Sequence, residues 1–328
     1  MPATPTRAGF LATLGSAPAL APLEVHVGET QEFPTHRQRL IEYTTVGAER
    51  VPAYLLVPRS LAGPAPGILA IHQDGGVRPY AFGKSEPAGR GGDPELAYGV
   101  ELCRRGYVVL CPDRFGFESR SLANSRYQDS FGGYRIANAD GLDLTEDLYK
   151  GCVANWLLLQ GWSALGKELV ELQRALDVLV KQPEVDGERL GAIGHSAGGF
   201  LTPLLMYLDD RVRVGCASCG TFLFRWLFSD ETLRPINGFA GLWTVPSLLR
   251  WGDMDDVLAG MAPRPYLETG DPDAPERSAA LCGKASARYA ALGVPERFAS
   301  LAYGSGHTFR RDMRDRSYAW FDHWLAPA

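Results

Sequence analysis

No stretch of this chain stays apolar for the roughly 18 residues that a bilayer-spanning helix requires, so the sequence offers no transmembrane segment. Positive charge is not in excess. The 33 Lys and Arg against 38 Asp and Glu leave a net charge of -5, which supplies no basic field for a nucleic-acid backbone. Cysteine is sparse, with six in 328 residues. Cys216 and Cys219 form a C-x-x-C, but no second pair and no histidine cluster accompany it, so metal-ligand spacing is lacking. These cysteines end a strand-like run and read as buried thiols, and reduced thiols point to the cytoplasm. Internal repeats and low-complexity tracts are also missing. The apolar stretch from Ala8 to Leu23 is broken by Gly15, Ser16, Pro18 and Pro22 and is preceded by one charged side chain, Arg7, so it is read as part of the folded protein and not as an export signal.

What remains is an ordinary globular composition, 45% hydrophobic and 22% charged, and one distinctive hexapeptide. Gly194-His195-Ser196-Ala197-Gly198-Gly199 sits between a short apolar run ending at Ile193 and the helically spaced run Phe200 to Leu208. Gly-x-Ser-x-Gly at a strand-to-helix turn is the nucleophile-elbow signature, which lifts a serine hydroxyl clear of a sheet. The turn is so tight that a Cβ at either outer glycine would strike the neighbouring strand or helix. Free N–H groups at the helix start then favour negative charge beside Ser196. The competing reading is a glycine-rich structural turn.

A serine hydroxyl is a poor nucleophile unless an imidazole takes its proton and a carboxylate orients that imidazole. In this arrangement the partners follow in the order Ser, Asp or Glu, His. Two histidines follow Ser196. His307 lies on a glycine-flanked loop after the strand-like run Arg297 to Ala302 and is the candidate base. His323 lies on a terminal amphipathic helix and reads as a packed or surface side chain. The acid is expected after the strand Arg264 to Thr269, in Gly270-Asp271-Pro272-Asp273. Asp273 is preferred and Asp271 is the alternative, since Asp-Pro also starts turns. Glu268 lies on the strand itself. The oxyanion hole is assigned to the N–H of Ala197 and to that of Gln73 or Asp74, in the loop after the strand Gly67 to Ile71.

Strand and helix patterns alternate along the chain and predict an α/β fold with one doubly wound, mostly parallel sheet. Residues 1–35 are expected to form an irregular N-terminal arm. Residues 36–328 form a single domain with insertions at about 114–166 and 221–258. A hairpin is expected from His36–Val46 and Arg50–Val57, and an amphipathic helix over Glu168–Lys181. The two insertions are rich in aromatics, among them Phe115, Phe117, Tyr149, Trp162, Phe222, Phe224, Phe239 and Trp243. They follow strands at their carboxyl ends, where such sheets place their ligand crevice, so pocket walls are expected. Ordinary packing or a homo-oligomer interface is the other reading. Lys84, Glu86, Asp113, Arg114, Glu118 and Arg120 are expected to pair and hold loops, and Asp253, Asp255 and Asp256 to cap a helix.

His72-Gln73-Asp74-Gly75-Gly76, Gly83-Lys84-Ser85-Glu86, Arg105 to Asp113, the elbow, Ala262-Pro263-Arg264-Pro265 and Gly306-His307 together resemble the α/β-hydrolase superfamily. More narrowly, the chain is similar to its dienelactone-hydrolase-like and acetyl-xylan-esterase-like serine hydrolases, from about Gly47 to Leu325. The nucleophile position holds Ser196 where dienelactone hydrolases proper have cysteine. The resemblance implies an ester or related acyl hydrolase without metal or organic cofactor, and the reading adopted is a carboxylic ester hydrolase acting on a small-molecule ester, deacetylase-like if its acyl pocket is small. The charge balance and the lack of a long apolar run lead to the expectation of no nucleic-acid or membrane partner. A peptidase or amidase on the same scaffold, and a non-catalytic ligand-binding pseudohydrolase, are the alternatives.

Overall fold

The computed structural model describes residues 5–74, 80–134, 144–229, 232–233, 243–270 and 275–326. Eleven strands are assigned among them. These are β1 (Val25–Glu32), β2 (His36–Thr44), β3 (Arg50–Pro58), β4 (Ala65–Ile71), β5 (Val108–Pro112), β6 (Val185–His195), β7 (Val212–Ser218), β8 (Phe228–Ser229), β9 (Thr232–Leu233), β10 (Tyr266–Gly270) and β11 (Phe298–Ala302). Nine make one sheet in the order β1-β2-β3-β5-β4-β6-β7-β10-β11, while β8 and β9 pair only with each other. β1, β2, β3 and β5 run antiparallel to their neighbours in turn. From β5 across to β11 every pairing is parallel.

The alternation of side chains along a strand explains why this sheet is covered on both faces. In β4, Leu69 and Ile71 join one core cluster, and Ile68 and Ala70 join another. In β5, Val108 and Leu110 face the first cluster, and Val109 and Cys111 the second. The helices Ala164–Val180 and Ala197–Leu208 cover the first face, and Tyr98–Arg104 and Arg311–Trp324 the second. After β4 the chain crosses to β5 on one side, and it later returns to β6 on the other. That reversal opens a crevice at the carboxyl ends of β4 and β6, where doubly wound sheets bind ligands.

Several expectations hold. The hairpin is formed by β2 and β3, with Gly47 at φ 60° in its turn. Asp253 caps the helix Met254–Gly260, and Asp256 closes the capping box. Two boundaries differ. The helix expected from Glu168 starts a turn earlier at Ala164, because Ser163 accepts the N–H of Gly166 at 3.0 Å and caps it there. The first 35 residues, expected to be irregular, include the helix Arg7–Leu14 and all of β1. Thr6 caps that helix by accepting from Gly9, and Phe10 and Leu14, one turn apart, are buried in the main core cluster. The helix ends at Gly15, which takes φ 85° and pairs with Trp162.

Phe10 packs against Tyr207 and Trp251, so the N-terminal helix closes the core beside the elbow helix. The variant Phe10→Ala should lower unfolding free energy by about 3 kcal/mol, the usual cost of truncating a buried aromatic. Urea denaturation followed by circular dichroism checks this. A loss under about 1 kcal/mol would mean that the helix is only loosely docked.

Candidate active site

Ser196 follows the last residue of β6, His195, and precedes the helix Ala197–Leu208. Its backbone sits at φ 54°, ψ -119°, a conformation that a side chain rarely adopts and that the surroundings must enforce. Two bonds do so. Ser196 N donates to Ser218 O at 2.8 Å, and Phe200 N donates to Ser196 O at 2.9 Å. The glycines act as the sequence suggested. A Cβ on Gly194 would lie 2.2 Å from the Gly198 carbonyl carbon, and one on Gly198 only 1.9 Å from Ile71 O. The start of the elbow helix therefore butts against the end of β4.

His307 reaches this point from the loop after β11, which turns through Gly304 at φ 57° and Gly306 at φ 73°. Its Nε2 lies 2.8 Å from Ser196 Oγ. The two residues are 111 positions apart in sequence, and the sheet order brings them together. His195 lies behind them. Its ring stacks on Phe309 at 5.7 Å and sits 5.0 Å from the His307 ring, and its Nδ1 is 3.1 Å from Ser218 Oγ. Burial, together with the neighbouring His307, pushes its pKa down to about 3, so it stays neutral. His323 is on the last helix with its ring edge-to-face on Trp324. Asp271 and Asp273 lie outside the described residues.

Glu268 does not serve this histidine in the contacts described. Its Oε2 accepts from Thr221 Oγ1 at 2.8 Å and from the Tyr266 hydroxyl at 2.6 Å. Burial pushes the carboxyl up to about 7.

On the other side of Ser196 lies the loop after β4. His72 is fully buried at its start. Arg114 N donates to its Nε2 at 2.9 Å, so the proton must be on Nδ1, which donates to Gln73 O at 2.6 Å. Burial and then the Arg114 charge push the His72 pKa down to about 3. The guanidinium of Arg114 donates to Asp74 Oδ1 at 2.7 Å, to His72 O at 3.4 Å and to both Glu168 oxygens at 3.0 and 3.3 Å. Trp243 Nε1 donates to the same carboxylate at 3.4 Å.

Most of the remaining charges pair as expected, whereas Glu86 accepts from the Asp93 backbone N–H at 3.2 Å. Lys84 donates to Asp113 at 2.8 Å and to Glu118 at 2.5 Å, and Arg120 is held by Glu171. Glu168 was missed as a site residue. The available signal was a carboxylate on the stripe shared with Leu169, Leu172 and Leu176, a position that demands a buried cation.

Many of the aromatics expected as pocket walls are packed instead. Phe115, Phe117, Tyr149, Trp162, Phe224 and Trp243 are all buried. Trp243 stacks on Phe200 of the elbow helix at 4.3 Å, and Phe222 does so at 5.3 Å while remaining half-buried. Phe239 lies outside the described residues. Apolar rings gain more from close contact with one another than from lining a wet crevice.

The raised carboxyl of Glu268 has a consequence for stability. In the fold it keeps its proton to about pH 7, against an ordinary value of 4.5. Between those values the native state binds more protons than the unfolded chain, so stability falls as pH rises through that window. Relative to Glu268→Gln, the wild type should lose on the order of 3 kcal/mol between about pH 4.5 and pH 8. Urea midpoints of both proteins across that range measure it, and parallel pH profiles would refute it.

Residues 160–259, which include Ser196, match the Prolyl oligopeptidase family. A Bacillus subtilis (strain 168) protein, YtaP, whose designation as a hydrolase is provisional, is 27% identical over 321 residues, covering 95% of this chain and 96% of that protein. Among solved structures, a Bacteroides fragilis protein provisionally designated an acetyl xylan esterase superposes with a TM-score of 0.68 at 19% identity, covering 92% of this chain and 75% of that one. The glucuronoyl esterase of Solibacter usitatus gives 0.62 at 17% identity, covering 96% of this chain and 91% of that one. With these structural likenesses and its mostly parallel nine-stranded sheet, the chain has the α/β-hydrolase fold.

Proposed function

We propose that the protein is a serine hydrolase that cleaves a carboxylic ester, with a small acyl group such as acetyl. The observation that carries this reading is the 2.8 Å contact between His307 Nε2 and the hydroxyl of Ser196, held on a backbone at φ 54°. The names of the structural neighbours, acetyl xylan and glucuronoyl esterases, support an ester as substrate.

In this reading Ser196 Oγ attacks the ester carbonyl carbon while His307 Nε2 takes the hydroxyl proton. The carbonyl π pair moves onto oxygen, which the N–H of Ala197 and that of Gln73 or Asp74 receive. Collapse expels the alkoxide, which takes the proton from His307 and leaves as the alcohol. Water, deprotonated by His307, then adds to the acyl carbon, and collapse expels Ser196 Oγ, which takes the proton back from His307 as the acid leaves. Asp273, or Asp271 in its place, orients His307 and stabilises its charged form. The mechanism calls for no metal or organic cofactor. Cytoplasmic placement is part of the proposal and rests on the buried thiols of Cys103, Cys111, Cys216 and Cys282.

Hydrolysis of p-nitrophenyl esters of rising acyl length, run beside Ser196→Ala, tests the reading. Activity should be highest on acetate, and the variant should lose it by about 10⁴-fold or more with unchanged circular dichroism. Asp273→Asn should lower kcat by about 10⁴-fold and Asp271→Asn far less, because only the residue paired with His307 sets its tautomer. The reverse ranking would move the acid to Asp271.

The match to the Prolyl oligopeptidase family favours a peptidase as the second reading. Among the described residues there is no second sheet beyond the two-residue pair β8 and β9 that could form a peptide-selecting domain. Turnover of acyl p-nitroanilides at rates comparable to the esters would favour it. Failure of Ser196 to take a serine-reactive phosphonate would favour a non-catalytic binding protein.

A further inference from the structure

We propose that Arg114 and Glu168 are positioning residues that fix the oxyanion loop. The inference rests on the hydrolase reading above and deepens it. The anchored unit of the loop is the peptide between Gln73 and Asp74. Its carbonyl accepts the Nδ1 proton of His72 at 2.6 Å. In a trans peptide the following N–H points the opposite way. The Asp74 N–H is thus turned away from the buried imidazole.

Arg114 brackets that peptide. One of its nitrogens reaches the His72 carbonyl on the near side and the Asp74 carboxylate on the far side. Its backbone N–H fixes the His72 ring, which in turn fixes the Gln73 carbonyl. The same guanidinium would swing freely on its long side chain without a second anchor, and Glu168 supplies it by accepting from the other terminal nitrogen with both oxygens. Arg114 and Glu168 are both buried, so water does not weaken these bonds. Gly198 packs against the Ile71 and His72 carbonyls, which places this loop beside the start of the elbow helix where the Ala197 N–H emerges.

The chain of contacts continues outward. Glu168 accepts from Trp243 of the second insertion, and Trp243 stacks on Phe200 of the elbow helix. Loop, insertion and elbow are therefore joined through one carboxylate. The pair needs to touch no substrate atom. It acts by holding a donor where the oxyanion forms, so its loss should weaken binding of the transition state and leave ground-state binding alone.

The experiment uses three variants of the full chain, Arg114→Lys, Glu168→Gln and Trp243→Phe. Melting temperatures report folding, and rates are corrected by active-site titration. The probe is a methyl trifluoromethyl ketone. Ser196 Oγ adds to its carbonyl carbon, the hydroxyl proton passes to His307, and the carbonyl pair becomes an oxyanion. For Arg114→Lys and Glu168→Gln, kcat on p-nitrophenyl acetate should fall about 30- to 300-fold with KM within about 3-fold, since a donor misplaced by about 1 Å costs that much. The inhibition constant of the ketone should rise by the same factor as kcat/KM falls. Trp243→Phe keeps the stacking and should give a smaller loss of the same kind, about 2- to 5-fold. If Arg114→Lys does not fold, the other two variants decide. Unchanged kcat per titrated site, or a raised KM with unchanged ketone affinity, would overturn the proposal. A wild type that neither hydrolyses the ester nor binds the ketone would instead remove the hydrolase reading, and the positioning role with it.

Discussion

The site depends on a single steric condition, the contact between the first turn of the elbow helix and the end of β4. Only hydrogen fits on the α-carbon of Gly198, because Ile71 O occupies the place of a side chain. Without that approach the helix would sit farther out, and Ser196 would have no reason to hold φ 54°. Strain of this kind costs on the order of 1–3 kcal/mol and survives only where neighbours over-determine the backbone. Here the neighbours are the bond from Ser196 N to Ser218 O and the helical bond from Phe200 N. The same approach sets the Ala197 N–H beside the loop that begins at His72, so one contact shapes both the nucleophile and its surroundings.

A second layer of constraint comes from charge. Buried Arg114 and Glu168 form a group with half-buried Asp74 that is linked to His72, while buried Lys84 and Asp113 form another with half-buried Glu118. Buried ions add little net stability over apolar side chains, but removing one partner is costly because the other is left desolvated. Such groups specify geometry more than they add stability. Their position around the loops after β4 and β5, at the open end of the sheet, fits that role.

Much of this was legible in the sequence where the signal was local. The elbow lies within six residues, and the strands show a period of two or an unbroken apolar run. His307 was marked by glycines that allow a tight loop, and the capping of the helix at 254 by the aspartates that precede its apolar run. The acid loop lies outside the described residues, so the choice between Asp273 and Asp271 stands where the sequence left it. Other features were not legible because their cause is distant in sequence. Arg114 and Glu168 are 54 positions apart, and nothing in either neighbourhood names the other. The N-terminal helix was obscured by Gly15 and the prolines after it, which end the helix and do not forbid it. Many of the described aromatics in the insertions are packed, and composition alone does not tell a wall from a core.

The outer edge of the sheet has a consequence of its own. Every residue of β1 is exposed, and its pairing with β2 shifts register between Val27 and Thr30. An exposed edge offers unpaired amides to any extended chain that arrives. The register break bends this one so that an incoming strand could dock along only part of it before losing step.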